Sequence, residues 1–137
     1  MLRFVCPLFV VDDIAVSRRF YEDALGQTVA EDHGENVVFE GGFAIHLKSH
    51  FQRLLGGQSR FPVVARAHDA ELYFETDDLE AAQTRLTEAG AESIHPVREQ
   101  PWGQRVLRCY DPDGHIVEVG ESMATVDRGA DAAPATR

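Results

Sequence analysis

Cys6, His46, Glu71 and Glu118 are the side chains whose types and spacing could do chemistry. Cys6 and His46 stand 40 residues apart, and Glu71 and Glu118 stand 47 apart. A thiol, an imidazole and two carboxylates gathered at one place could move protons. Two adjacent carboxylates repel, so one of them must hold a proton unless a cation sits between them. A shared proton would make Glu71 and Glu118 a candidate general base pair. Whether the four meet depends on the elements that carry them.

Those elements are duplicated. Phe9-Val-Val-Asp-Asp-Ile14 has its counterpart in Phe74-Glu-Thr-Asp-Asp-Leu79, 65 residues later, about half the chain. An offset of that size indicates a duplicated unit rather than a short solenoid repeat. After each Asp pair comes an amphipathic stretch ending at a glycine, Gly26 or Gly90. An Asp side chain can accept the unpaired amides of a first helical turn, and glycine suits a left-handed end. Ile14, Ser17, Phe20, Tyr21, Ala24 and Leu25 share one helical face, as do Leu79, Ala82, Leu86 and Ala89. Strands are predicted at Thr28–Asp32, Glu35–Phe39, Phe43–Lys48, Ser93–Arg98, Arg105–Tyr110 and His115–Gly120. The apolar run Phe4–Val11 predicts a buried first strand, and Leu72–Glu75 lies in its counterpart. Asp111-Pro-Asp-Gly114 is a turn in which Pro presets φ and Gly accepts a positive one. Each half thus reads β-α-β-β-β: module one 1–49, a linker 50–69 with a short helix near Phe51–Leu55, and module two 70–121. The remainder, 122–137, has almost no bulky apolar residue and is expected to be a disordered tail.

Strand alternation then assigns faces. Leu72, Phe74, Phe43, Ile45, Leu47, Val117 and Val119 should cover the helices. Cys6, His46, Glu71, Tyr73, Glu75 and Glu118 should point the other way. A pseudo-twofold axis between the modules would bring Cys6, His46, Glu71 and Glu118 together. The plain alternative for His46 is an interior strand histidine, for Glu118 a strand-end carboxylate, and for Cys6 a buried thiol. Trp102 could stack on a ligand and Arg105 hold its anionic group, with core or subunit packing as the alternative for Trp102. His33, His50, His68, His95 and His115 have no partner spacing that points to a site.

Composition excludes several classes. With 13 basic and 23 acidic residues the formal charge is −10, which argues against a nucleic-acid partner. The one long apolar run is too short to span a bilayer, and nothing around it reads as a signal peptide. Two cysteines, Cys6 and Cys109, make no disulfide framework, so a cytoplasmic, reducing setting is expected.

Taken together, Val10-Val-Asp-Asp-Ile14, Arg19-Phe-Tyr-Glu-Asp-Ala-Leu-Gly26, the second Asp-Asp-Leu79, Pro101-Trp-Gly103 and Asp111-Pro-Asp-Gly-His-Ile-Val-Glu118 resemble the vicinal oxygen chelate superfamily. That superfamily holds glyoxalase I, bleomycin- and fosfomycin-resistance proteins and extradiol dioxygenases. The resemblance covers residues 4–121 and implies an α+β fold. Two tandem βαβββ modules would each curl a mixed sheet around a shared pocket, helices outside, in a single domain 1–121. It also implies metal ligands at His46, Glu71 and Glu118, with Cys6 a fourth candidate. Only Glu118 has the usual identity; Cys6 and Glu71 stand where His is usual, and His46 where a carboxylate or amide is. One imidazole and two carboxylates still make an adequate facial set for Zn, Ni, Mn or Fe. The resemblance therefore leads to a divalent-metal-dependent lyase, isomerase or transferase on a small oxygen-chelating substrate. Glu118 and Glu71 would be catalytic, and Trp102, Arg105 and Tyr73 substrate-binding. The alternative is a metal-free binder of a drug or metabolite, of the bleomycin-resistance type. Extradiol cleavage is disfavoured, because module two has no His at the matching place. A homodimer is expected by the same resemblance.

Overall fold

Asp13 and Asp78 set where the helices begin. In the computed structural model, which describes residues 1–57, 62–124 and 126, Asp13 Oδ1 accepts the amide of Val16 at 3.1 Å. Asp78 Oδ1 accepts that of Ala81 at 3.0 Å. The chain divides at Ala65–Arg66 into two units.

The first unit contains β1 (Leu8–Val11), α1 (Ile14–Arg18), β2 (Val29–Asp32), β3 (Asn36–Phe39), β4 (Phe43–Leu47) and α2 (Lys48–Leu54). Its sheet runs β1-β4-β3-β2, with β1 parallel to β4 and the other pairs antiparallel. The predicted first helix is not α-helical throughout. From Arg19 to Ala24 it widens into a π-helical turn, in which the Leu25 amide reaches back five residues to the Phe20 carbonyl. Gly26, at φ +64°, then ends it. This segment sends Phe20 and Tyr21, edge to face at 5.1 Å, into the core. There Tyr21 meets Phe39 and Phe43, which are directly opposed on β3 and β4 and stack at 4.8 Å.

The predicted first strand is longer than the observed one. Phe4 and Val5 are exposed, and the strand starts at Leu8. The register explains this: Leu8 pairs with Ala44 and the Pro7 carbonyl takes the Ala44 amide, so Cys6 faces the end of the β3–β4 turn, where no strand continues. The helix expected near Phe51–Leu55 starts earlier, at Lys48, directly after β4.

The second unit repeats the order with β5 (Glu71–Thr76), α3 (Leu79–Glu88), β6 (Ser93–Glu99), β7 (Arg105–Tyr110) and β8 (Ile116–Glu121). The sheet runs β5-β8-β7-β6, again with one parallel pair, β5 with β8. The fold is thus α+β, two βαβββ modules in tandem. Leu79, Ala82 and Leu86 of α3 are buried, as are Leu72, Leu107, Cys109, Val117 and Val119, the sheet residues that alternation assigns to the helix side. Asp111 builds the β7–β8 turn by accepting the amides of Asp113 (2.9 Å) and His115 (2.8 Å), while Gly114 takes φ +88°. Of the expected tail, the Ser122 amide bonds the Thr76 carbonyl and the Met123 amide bonds Glu75; 125 and 127–137 lie outside the described residues. Among the described residues no helix is long and apolar enough to cross a membrane.

The stacked aromatic pair gives a direct test. Phe39→Ala should cost about 3–5 kcal/mol and Phe39→Leu clearly less, read from urea unfolding midpoints at constant slope.

Candidate functional site

In the second unit the cross-strand registers line up one row over all four strands. Tyr73 on β5 is opposite Glu118 on β8, Glu118 is opposite Arg108 on β7, and Arg108 is opposite His95 on β6. Directly opposed residues share a face, so these four side chains stand on the side away from α3. Glu71 joins them, two residues before Tyr73 on the same strand.

Arg108 ties the row together. Its Nη2 donates to Glu118 Oε2 at 2.8 Å, its Nε to Glu71 Oε1 at 3.5 Å, and its Nη1 to His95 Nε2 at 3.1 Å. A guanidinium can only donate. His95 Nε2 must therefore be the unprotonated nitrogen, and Nδ1–H donates to the Pro96 carbonyl at 2.8 Å. Glu118 is fully buried, and the Glu71 side chain is 31% exposed. A carboxylate buried to this degree stays ionised only with a partner of opposite charge, and Arg108 is that partner. Two carboxylates on one sheet face called for a cation or a proton, and the chain supplies the cation itself.

A second network holds the rim of this face. Gln104, completely buried, donates through Nε2 to the Tyr73 hydroxyl (2.8 Å) and the Glu121 carbonyl (2.7 Å), and accepts Trp102 Nε1–H at 2.8 Å. Tyr73 in turn donates to Glu75 at 2.7 Å. Gln104 fits only because residue 120 is glycine: a Cβ there would sit 2.5 Å from Gln104 Nε2. The other predicted ligand-binding residue lies elsewhere. Arg105 alternates onto the helix side of β7 and is held by Glu80 of α3 (2.8 Å) and by Glu121 (3.2 Å). Those two carboxylates raise its pKa, with the Glu80 hydrogen bond the largest contribution.

In the first unit, His46 is opposite Val10 on one side and Asn36 on the other. The Asn36 amide nitrogen lies 3.1 Å from His46 Nδ1, and His46 Nε2 lies 2.8 Å from His50 Nδ1. The amide donates, so His46 carries its proton on Nε2 and passes a hydrogen bond to His50, on which it also stacks. Burial, and then the neighbouring His50, push the His46 pKa below its usual value against the pull of Glu35. Cys6, expected on the first strand, lies just before it and is half-buried.

These donors do not suit the metal that the resemblance implies. Glu118 and Glu71 both accept from a resident guanidinium, and His46 has both ring nitrogens engaged. Among the described residues, no three His, Cys, Asp or Glu side chains are arranged to hold an ion. A cavity of about 90 Å³ is lined by residues of α3, β6 and β7, Arg108 and His95 among them. It is well below the roughly 300–1,000 Å³ usual for ligand pockets. Cys109, on its wall, has its thiol pushed up to about 11 by burial and so stays protonated. Arg108 escaped the sequence reading. Its signal was present in the turn: pairing Tyr110 with Ile116 around Asp111–His115 sets Arg108 opposite Glu118.

Comparison with known proteins places this arrangement in a class. The glyoxalase-like domain family matches residues 4–124, and the chain belongs to that family, within the vicinal oxygen chelate superfamily. A protein of unknown function from Agrobacterium tumefaciens is 44% identical, with a TM-score of 0.78 over 89% of this chain and 95% of its own. A glyoxalase-related enzyme from Fulvimarina pelagi shares the fold at 24% identity and TM-score 0.74, over 89% of this chain and 90% of its own. An uncharacterized protein of Mycobacterium bovis is 28% identical over 130 residues, 88% of this chain and 84% of that one.

Two measurements check this geometry. Gly120→Ala should displace Gln104, lowering Tm and changing Trp102 fluorescence, while Gln104→Ala/Gly120→Ala should tolerate the added methyl better. For His46, the folded pKa lies below the unfolded one, so its contribution to stability is present above about pH 6.5. That contribution should fade as pH falls through the folded pKa. Thermal unfolding from pH 8 to 5 should show a steeper acid loss for wild type than for His46→Gln.

Proposed function

We propose that this chain is a metal-independent glyoxalase-like protein that binds a small polar molecule on the side of the second unit's sheet away from α3. The observation that carries this reading is the commitment of Glu71 and Glu118 to Arg108. With both carboxylates accepting from a guanidinium, neither is poised to take a proton from a substrate or to ligate a metal. What the face offers instead is a set of fixed polar groups beside two aromatic rings, Tyr73 and Trp102, held in place by Gln104. Preorganised polar groups with aromatic walls are what small-molecule recognition uses. The metal-dependent lyase, isomerase or transferase reading needs Glu71 and Glu118 as donors and base, and their pairing supports it less.

Thermal-shift and calorimetric titrations in EDTA test the proposal. The probes are a metabolite and drug panel including bleomycin and the methylglyoxal–glutathione hemithioacetal. At least one compound should raise Tm and bind, and Tyr73→Ala or Trp102→Ala should weaken that binding about tenfold or more, the cost of losing one good aromatic contact. Turnover of the hemithioacetal that requires added Zn²⁺ or Ni²⁺ and disappears in Glu118→Gln would overturn it.

A further inference from the structure

Three acceptors surround one guanidinium in the second unit: the buried carboxylate of Glu118, the carboxylate of Glu71 and the unprotonated Nε2 of His95. All three face nitrogens of the same guanidinium, one group to each nitrogen. We propose that this place is a guanidinium site filled from within the chain. Arg108 supplies the charge that these groups would otherwise draw from solution, and once its side chain is removed the place takes up a free guanidinium, for which the three acceptors are spaced, and not a divalent ion.

Three features on this face support the assignment. Glu118 has no exposure to solvent, so water cannot stabilise its charge, and a counter-ion must. Arginine keeps its charge at every accessible pH and spreads its donors in a planar fork, which suits three acceptors placed around it. His95 is turned into an acceptor by the Pro96 carbonyl on its other nitrogen, so it presents a lone pair and not a proton toward Arg108. This role rests on the metal-independent reading above, but it concerns cation uptake and not ligand binding, so either can fail alone.

The test compares wild type, Arg108→Ala, Arg108→Lys and Arg108→Ala/Glu118→Gln by thermal unfolding and calorimetry. Zn²⁺, Mn²⁺ and methylguanidinium are added separately at micromolar to low millimolar concentrations. Wild type and Arg108→Lys should respond to none of them. Arg108→Ala should lose roughly 10–20 °C in Tm and regain a large part of it, saturably, with methylguanidinium, one bound per chain, and not with Zn²⁺ or Mn²⁺. The double variant, with no buried charge left to satisfy, should recover most of the loss without any cation and respond to none. If Arg108→Ala does not fold alone, it should refold in methylguanidinium, and the double variant should fold unaided. One equivalent of metal on wild type purified without chelator would overturn the proposal. So would an Arg108→Ala protein that is stable and unresponsive, or a double variant no more stable than Arg108→Ala. Absence of a small-molecule ligand would leave all of these outcomes unchanged.

Discussion

A carboxylate with no access to water is a demand on the rest of a structure, and Glu118 makes that demand here. Losing the partner of such a group typically costs about 3–5 kcal/mol, a large part of a domain's stability. The geometry around it follows. The β7–β8 register must place an arginine opposite, β6 must supply an acceptor for its second arm, and β5 must bring Glu71 to its third. The bulged pairing of β6 with β7 is what sets His95 beside Arg108 while the strand goes on to Arg98 and Glu99. The face opposite α3 is thus organised around one charge, much as the face toward α3 is organised around Leu79, Ala82 and Leu86.

Family membership and chemistry separate at this point. The chain has the βαβββ order twice, the architecture of the superfamily to which its family belongs. Fold is compatible with many chemistries, and the site decides among them. Here the carboxylates are in place and their counter-ion is a side chain. Likewise in the first unit, His46 stands at the position the resemblance marks, but its hydrogen bonds run to Asn36 and His50.

Much of the architecture was legible because its signals are local. The Asp caps, the terminating glycines and the Asp111–Gly114 turn each act within a few residues, and Arg105–Tyr110 was placed to the residue. Strand alternation assigned Leu72, Val117 and Glu118 to their faces for the same reason. What was not legible depends on partners distant in sequence. The first strand was read too long because the β3–β4 turn deprives Phe4–Cys6 of a neighbour. The widened turn at Arg19–Ala24 breaks no local rule of composition or period. Arg108 looked like one polar residue between Leu107 and Cys109, and Arg105, which looked more exposed to a ligand, alternates to the other side. The need for a cation between Glu71 and Glu118 could be stated from the residues alone, whereas its identity required the cross-strand pairing.

The turn at Asp111–His115 carries a consequence beyond its own shape. Loop tips of this kind ordinarily accept insertions and deletions more readily than any other part of a domain. This one sets the phase of two strands, and side chains change face with every single-residue slip. Adding or removing one residue there would rotate Arg108 toward α3 and present Leu107 or Cys109 to Glu118. Length variation among relatives should therefore be scarcer at this tip than in the interval between α2 and β5.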